Sequence, residues 1–267
     1  MIDTKFSEGF LWGTATSSYQ IEGAPSLDGK GPSVWDTFSH IEGNVKNGDN
    51  GDQACDHYNL WQKDIELLKA LGVKAYRFSI SWPRIFPNGN EKLPNEAGLD
   101  FYDRLVDHLL EHNIQPFITL NHWDIPQGLE DIGGWPNRSM VDAFVKYSYY
   151  VSTRLGDRAK NWITHNEPWC ISYLGYIQGQ FPPGIKNNWP KSLTTAHHLL
   201  LSHGMSINEI RNNSNDSNIG ITLNLSPSTP ASKSQYDKEA CKFYDGQFNR
   251  LYLDPLYKAQ YPKDLFD

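Results

Sequence analysis

Short apolar, β-prone runs alternate along the chain with longer amphipathic stretches. The runs at 10–17 (FLWGTATS), 75–81 (AYRFSIS), 116–121 (PFITLN), 161–165 (NWITH) and 219–224 (IGITLN) read as strands. Within 57–71, Trp61, Ile65 and Leu68 recur at i, i+4, i+7, one helical face, and Gly72 is placed to end the helix. Leu99, Tyr102, Val106 and Leu109 repeat that spacing in 99–112, with Asn113 at the stop. Two further helices are predicted over 139–155, with Ser139 or Asn137 as N-cap, and over 192–211. Alternating strand and helix predicts a parallel α/β sheet. The segments 25–55 and 124–138, rich in Gly, Asp, Asn and Pro, read as long loops, which in compact domains are usually functional. No linker or low-complexity tract interrupts the pattern, so residues 1–267 are expected to form a single domain.

Composition narrows the class. With 24 basic and 31 acidic residues the net charge is −7, which argues against nucleic acid or an anionic membrane as a partner. No apolar run approaches the roughly 20 residues that span a bilayer. Residues 1–12 lack a basic region followed by a long apolar stretch, so no secretory signal is read and a cytoplasmic location is expected. Cys55, Cys170 and Cys241 are widely separated and form no CxxC pair, which points to free thiols over a zinc or redox site. His197, His198 and His203 lie close in sequence, but adjacent helical positions diverge, so packing or surface roles are favoured over a metal cluster. The nine tryptophans exceed ordinary core needs and suit core filling, interfaces or sugar platforms; position has to decide among these.

The positions that decide are the strand ends. Gln20 and Glu22 follow the first strand and Arg77 lies in the second. His122 and Trp123 follow the third, Asn166 and Glu167 close the fourth, and Asn224 ends the fifth. Polar groups at the C-terminal ends of successive parallel strands are how a β/α barrel builds an active site. The glycine fingerprint of a doubly wound nucleotide-binding sheet is missing.

FLWGTATSSYQIEGA (10–24), VWDTF (34–38), YRFSISWPRIFP (76–87), NHWDIPQGLEDIGGW (121–135), THNEPWC (164–170) and NRLYLDPL (249–256) together resemble the family 1 retaining β-glycosidases, the β-glucosidase and lactase group. The resemblance covers essentially the whole chain. It implies a TIM-type (β/α)8 barrel, hydrolysis of small β-linked glycosides with retention, and no cofactor. By resemblance, Glu167 is the general acid/base and Arg77 keeps the nucleophilic carboxylate ionised. Asn166 matches the donor to the sugar 2-hydroxyl; Gln20, His122 and Trp123 match residues that hold hydroxyls in the −1 subsite. Trp169 matches a platform for the leaving group, and Asn224 a polar position near the −1/+1 boundary. Trp35, Trp61, Trp82 and Trp162 read as core, whereas Trp12 and Trp135 fit either role. His165 should point opposite Asn166 and serve packing.

The family's nucleophile lies in an (I/V)-T-E-N-G segment on the seventh strand, and no Glu-Asn-Gly occurs in these 267 residues. Glu22 is no substitute, since its place in the signature fits local structure. A complete barrel can fit in roughly 250 residues, but at roughly 40 to 60 residues per strand–helix unit this loop-rich chain holds only about five. The expected fold is therefore an incomplete barrel covering the first five β/α units, truncated on its C-terminal side. Its first and fifth strands would be open edges, inviting a C-terminal half-barrel or self-association. The expected function is a β-glycosidase, most nearly a β-glucosidase, whose activity as an isolated chain is in question. Two alternatives stand beside it: a non-catalytic glycan-binding or interaction protein built on a truncated barrel, and a fragment complemented by a separate C-terminal half.

Overall fold

A computed structural model describes residues 5–266. Five strands, β1 (Gly13–Ala15), β2 (Ala75–Ser79), β3 (Gln115–Asn121), β4 (Asn161–Asn166) and β5 (Asn218–Thr222), form one parallel sheet in sequence order. In chain order the helices are α1 (Ser18–Ile21), α2 (Val34–Ser39), α3 (His57–Leu71), α4 (Trp82–Ile85) and α5 (Glu96–Glu111). They continue with α6 (Gln127–Asp131), α7 (Ser139–Leu155), α8 (Trp189–Asn213), α9 (Gln235–Asp245) and α10 (Leu251–Lys258). The long helices α3, α5, α7 and α8 are the connections between consecutive strands, so each returns the chain to the same end of the sheet.

The central strands read as near-continuous apolar runs because parallel sheets are covered on both faces. Phe78, Ile118 and Leu120 are buried beneath Leu105, Val106 and Leu109 of α5 and Phe144 and Val151 of α7 in one core. Trp82 lies stacked on Tyr147 at 4.8 Å, and the Tyr147 hydroxyl donates to the Leu120 carbonyl at 2.9 Å. Trp162 is buried with its indole N–H on the Ala159 carbonyl, and Trp135 is buried too, which settles its two readings in favour of core. Gly72 ends α3 in the left-handed conformation, as its position predicts.

Several boundaries differ from expectation for physical reasons. The run 10–17 contributes only the three residues of β1, because β1 pairs with β2 alone. Gly13 is required there: a Cβ would stand 2.8 Å from the Ala75 carbonyl oxygen. Phe10 and Trp12 instead cluster with Phe6 on the surface, so Trp12 is exposed. The N-cap of α7 is Arg138 and not Ser139 or Asn137, although the Asn137 side chain accepts the Ser139 N–H at 3.1 Å. Segment 25–55 is not all loop, since a reciprocal Ser33–Asp36 capping box starts α2 inside it. Neither Trp35 nor Trp61 is a full core residue; both are half-buried and pack against the core from its rim. Helices α9 and α10 went unread: α9 buries no residue, and α10 carries Pro255 internally. Among the described residues no helix is long and apolar enough to cross a membrane.

Candidate active site

The residues singled out gather toward the C-terminal ends of the strands, with Arg77 inside β2 and Glu22 set apart from the rest. Arg77 occupies the middle of β2, where its Nη2 donates to Asn166 Oδ1 at 2.5 Å and its Nε to Thr119 Oγ1 at 3.0 Å. Burial pulls the Arg77 pKa down, and the charge of Glu167 pushes it back up. The guanidinium therefore ties β2, β3 and β4 together and stands within electrostatic reach of the Glu167 carboxylate.

His122 and Trp123 leave the end of β3 through a tight reversal. Trp123 has φ of +79°, held by its N–H on Asn121 Oδ1 (3.1 Å) and by its indole N–H on the Asn166 carbonyl (2.8 Å). His122 Nδ1 is buried and has no hydrogen-bond partner among the described residues. Burial first, and then the Arg77 charge, lower the His122 pKa to about 3, so the ring is neutral at physiological pH. A neutral imidazole with an unsatisfied buried nitrogen is suited to a ligand hydroxyl. Gln20, Trp35, His122, Trp123 and Phe181 border a cavity of about 210 Å³ together with Ser17 and Tyr19.

Glu167 follows β4 in the left-handed conformation (φ +46°), uncommon for a residue with a Cβ. Its N–H donates to the Thr222 carbonyl at the end of β5 (2.8 Å), and its own carbonyl accepts from the Cys170 N–H (2.9 Å). Cys170 Sγ donates to Glu167 Oε2 at 3.3 Å, and Asn224 Nδ2 reaches the same sulfur at 3.7 Å. Burial and the neighbouring Glu167 charge raise the Cys170 pKa, keeping it a thiol that donates. Trp169 projects beside this group, stacked on Tyr173 at 4.7 Å with its indole N–H on Gln247 Oε1 at 3.1 Å.

The predicted residues thus fall into two adjoining groups. Gln20, His122 and Trp123 line the cavity; Glu167, Trp169 and Asn224 lie along the β4–β5 side; Arg77 and Asn166 join them. Glu22 stands apart, buried and paired with Arg84 Nε at 2.7 Å while accepting the Tyr102 hydroxyl at 2.5 Å, the structural role expected for it. His165 is sandwiched between Asn121 and Ser202 and stacks on Phe144, in packing as expected. His197, His198 and His203 each bond a different partner: the Tyr261 hydroxyl, the Trp135 carbonyl and Thr164 Oγ1. Trp35 and Phe181 were missed as cavity walls, and Cys170 and Gln247 as supports of Glu167 and Trp169. Only Cys170 had a visible signal, its place three residues after Glu167 in one motif.

The profile of the family described as Glycosyl hydrolase family 1 matches residues 2–267. The chain belongs to this family. It is 52% identical over 260 residues to a 1,4-beta-D-glucan glucohydrolase of Thermotoga neapolitana, covering 97% of this chain and 60% of that protein. It is 51% identical to Beta-glucosidase A of Thermotoga maritima, covering 97% of this chain and 58% of the relative. The crystal-structure comparison agrees: a family 1 β-glucosidase from Thermotoga maritima superposes with a TM-score of 0.93 at 50% identity, over 97% of this chain and 58% of that one. The same Thermotoga enzyme is also known in complex with deoxynojirimycin. The five parallel strands are accordingly those of an incomplete TIM barrel, and the chain spans about 60% of its relatives' length.

Proposed function

We propose that this family 1 chain carries the acid/base side of a retaining β-glucosidase site, in one barrel domain. The observation that supports it most is the setting of Glu167. It is turned into the left-handed region at the end of β4, anchored to the end of β5, and within electrostatic reach of Arg77. In this reading the sugar ring enters the cavity bordered by Gln20, His122 and Trp123. Asn166, oriented by Arg77, donates to the 2-hydroxyl, and the leaving group stacks on Trp169 near Asn224. Glu167 protonates the glycosidic oxygen as the bond to the anomeric carbon breaks; as a carboxylate it then takes a proton from the water that releases the sugar. The second carboxylate of such a mechanism, about 5–5.5 Å from the first, attacks the anomeric carbon and belongs to the family's Glu-Asn-Gly segment. In this reading Arg77 keeps that carboxylate ionised.

Residues 1–267 contain no such segment, and β1 and β5 each pair on one side only. The proposal therefore includes a C-terminal half-barrel as partner across those edges, with self-association as the competing use of them. A cytoplasmic setting is part of the same reading, supported by three cysteines that are all free. The test is hydrolysis of an aryl β-glucoside by the chain alone, by the chain with azide, and by the chain mixed with the C-terminal remainder of a relative. Turnover that appears on mixing and disappears with Glu167→Gln is expected. Azide-dependent release, giving an α-glycosyl azide, would show an acid site working without its nucleophile. Undiminished turnover by the mixture carrying Glu167→Gln would overturn the assignment of Glu167, and turnover by the chain alone would place the nucleophile within these residues.

A further inference from the structure

At the opposite end of the barrel from Glu167, the C-terminal halves of α3 and α5 lie side by side. There His108 of α5 and His112, the C-cap of that helix, lie close to Glu66 of α3. One donor atom from each of the three lies within 4.8 Å of the other two. The two imidazole rings are 4.7 Å apart, and His112 Nε2 stands 3.1 Å from Glu66 Oε1. We propose that these three side chains form a site for a zinc-class divalent ion that clamps α3 to α5.

Three observations carry this beyond an ordinary surface ion pair. His112 Nε2 is buried, and despite its closeness to Glu66 it makes no hydrogen bond of good geometry among the described residues. A buried, unsatisfied ring nitrogen is costly unless something takes its lone pair. Second, Glu111 Oε2 lies 3.0 Å from His108 Nδ1, the carboxylate contact that fixes the tautomer and orientation of metal-bound histidines. Third, His108 sits in the last turn of α5 and His112 at its C-cap, where the helix dipole favours a cation. Two imidazoles and one carboxylate suit zinc, cobalt or nickel better than magnesium or calcium, with water completing the shell. The site touches none of the residues assigned to glycoside chemistry.

The experiment uses the whole chain in a Cys55→Ser background, which removes the exposed thiol as a competing ligand. Zinc affinity is measured against a chromophoric chelator, and cobalt binding by its visible spectrum. One equivalent is expected to bind, with a cobalt spectrum free of thiolate charge transfer. His108→Gln and His112→Gln should each weaken zinc at least about 10-fold, and Glu111→Gln about 10-fold through ring orientation. At a hundred times Kd, zinc should raise Tm by about 5 °C, and the double His108→Gln/His112→Gln variant should lose that shift. Should the double variant fold poorly in circular dichroism, His108→Gln alone supplies the same readout. No zinc bound at millimolar concentration, unchanged affinity in the histidine variants, or a thiolate band in the cobalt spectrum would each overturn the proposal.

Discussion

Glu22 and Glu167 are both carboxylates in loops that follow strands, and the fold treats them oppositely. Glu22 is closed in: the Arg84 guanidinium and the Tyr102 hydroxyl take its two oxygens, and Arg84 also donates to the Gly23 and Ala24 carbonyls. Glu167 is open: among the described residues its carboxylate receives only the weak donor Cys170 Sγ, on one oxygen. A carboxylate whose two oxygens are each engaged by a strong donor stabilises the loops around it. One left partly unsatisfied keeps its capacity for a substrate. The difference between a structural and a reactive carboxylate is thus the number and strength of donors already committed to it.

The largest expected effect tests the closed member. Glu22→Ala leaves Arg84 charged and buried without its partner, which should cost about 3–5 kcal/mol and be seen as a lowered midpoint in urea. Glu167→Gln should change stability by no more than about 0.5 kcal/mol. In the mixture with a relative's C-terminal remainder, it should lower turnover of an aryl glucoside by about 10²- to 10⁴-fold. If the two variants exchanged behaviour, the contrast drawn from their donors would fail.

Much of this contrast was legible beforehand, but unevenly. The four long helices fell close to their periodic stretches, because α3, α5, α7 and α8 each bury one face against the same core. The strand-end residues were readable because a barrel requires its chemistry there. Trp35 was not: its place at the cavity depends on α2, which a loop-like composition concealed until the Ser33–Asp36 box was seen in space. Phe181 meets Trp35 and Trp123 only through tertiary packing, at ring separations of 4.9 and 5.1 Å that no local spacing encodes. Gln247 meets Trp169 across 78 positions of sequence, which is likewise invisible to a local pattern.

A smaller, pH-dependent effect sharpens the closed side. Asp124 is buried next to this network, where burial, opposed by the Ser18 hydroxyl and Lys30 and reinforced by Glu22, raises its pKa from 3.8 to about 7. The native state then holds more protons than the unfolded state between those values. The Asp124 contribution to stability should fall as pH rises from about 4 to about 7, by an amount on the order of a few kcal/mol, and level off above. His122, His165 and His203, whose pKa values burial lowers, contribute the opposite slope below about 6.5. Burial raises Glu130 to about 7 as well, so it adds to the downward share. Asp124→Asn, which never ionises, should remove its downward share, read as the difference between the variant and the parent in urea unfolding across that range, while leaving the Glu130 and histidine shares. An unchanged slope would mean that Asp124 ionises normally in the folded protein.

The smallest effect belongs to the one donor on the open side. Cys170 gives Glu167 Oε2 a thiol hydrogen bond at 3.3 Å and also receives Asn224 Nδ2. A thiol is a weak donor, so its loss is worth about 1 kcal/mol or less, roughly five-fold in rate. Cys170→Ala should therefore reduce kcat a few-fold in the reconstituted mixture with little change in KM, because the bond orients the acid without touching the bound sugar. Cys170→Ser keeps a donor at nearly the same place and should restore most of the loss, which a mere cavity beneath Trp169 would not permit. If Ala and Ser behaved alike, packing would be the whole role of this residue. Glu167 would then be held by its backbone alone, through the bonds to Thr222 and Cys170 that set its left-handed turn.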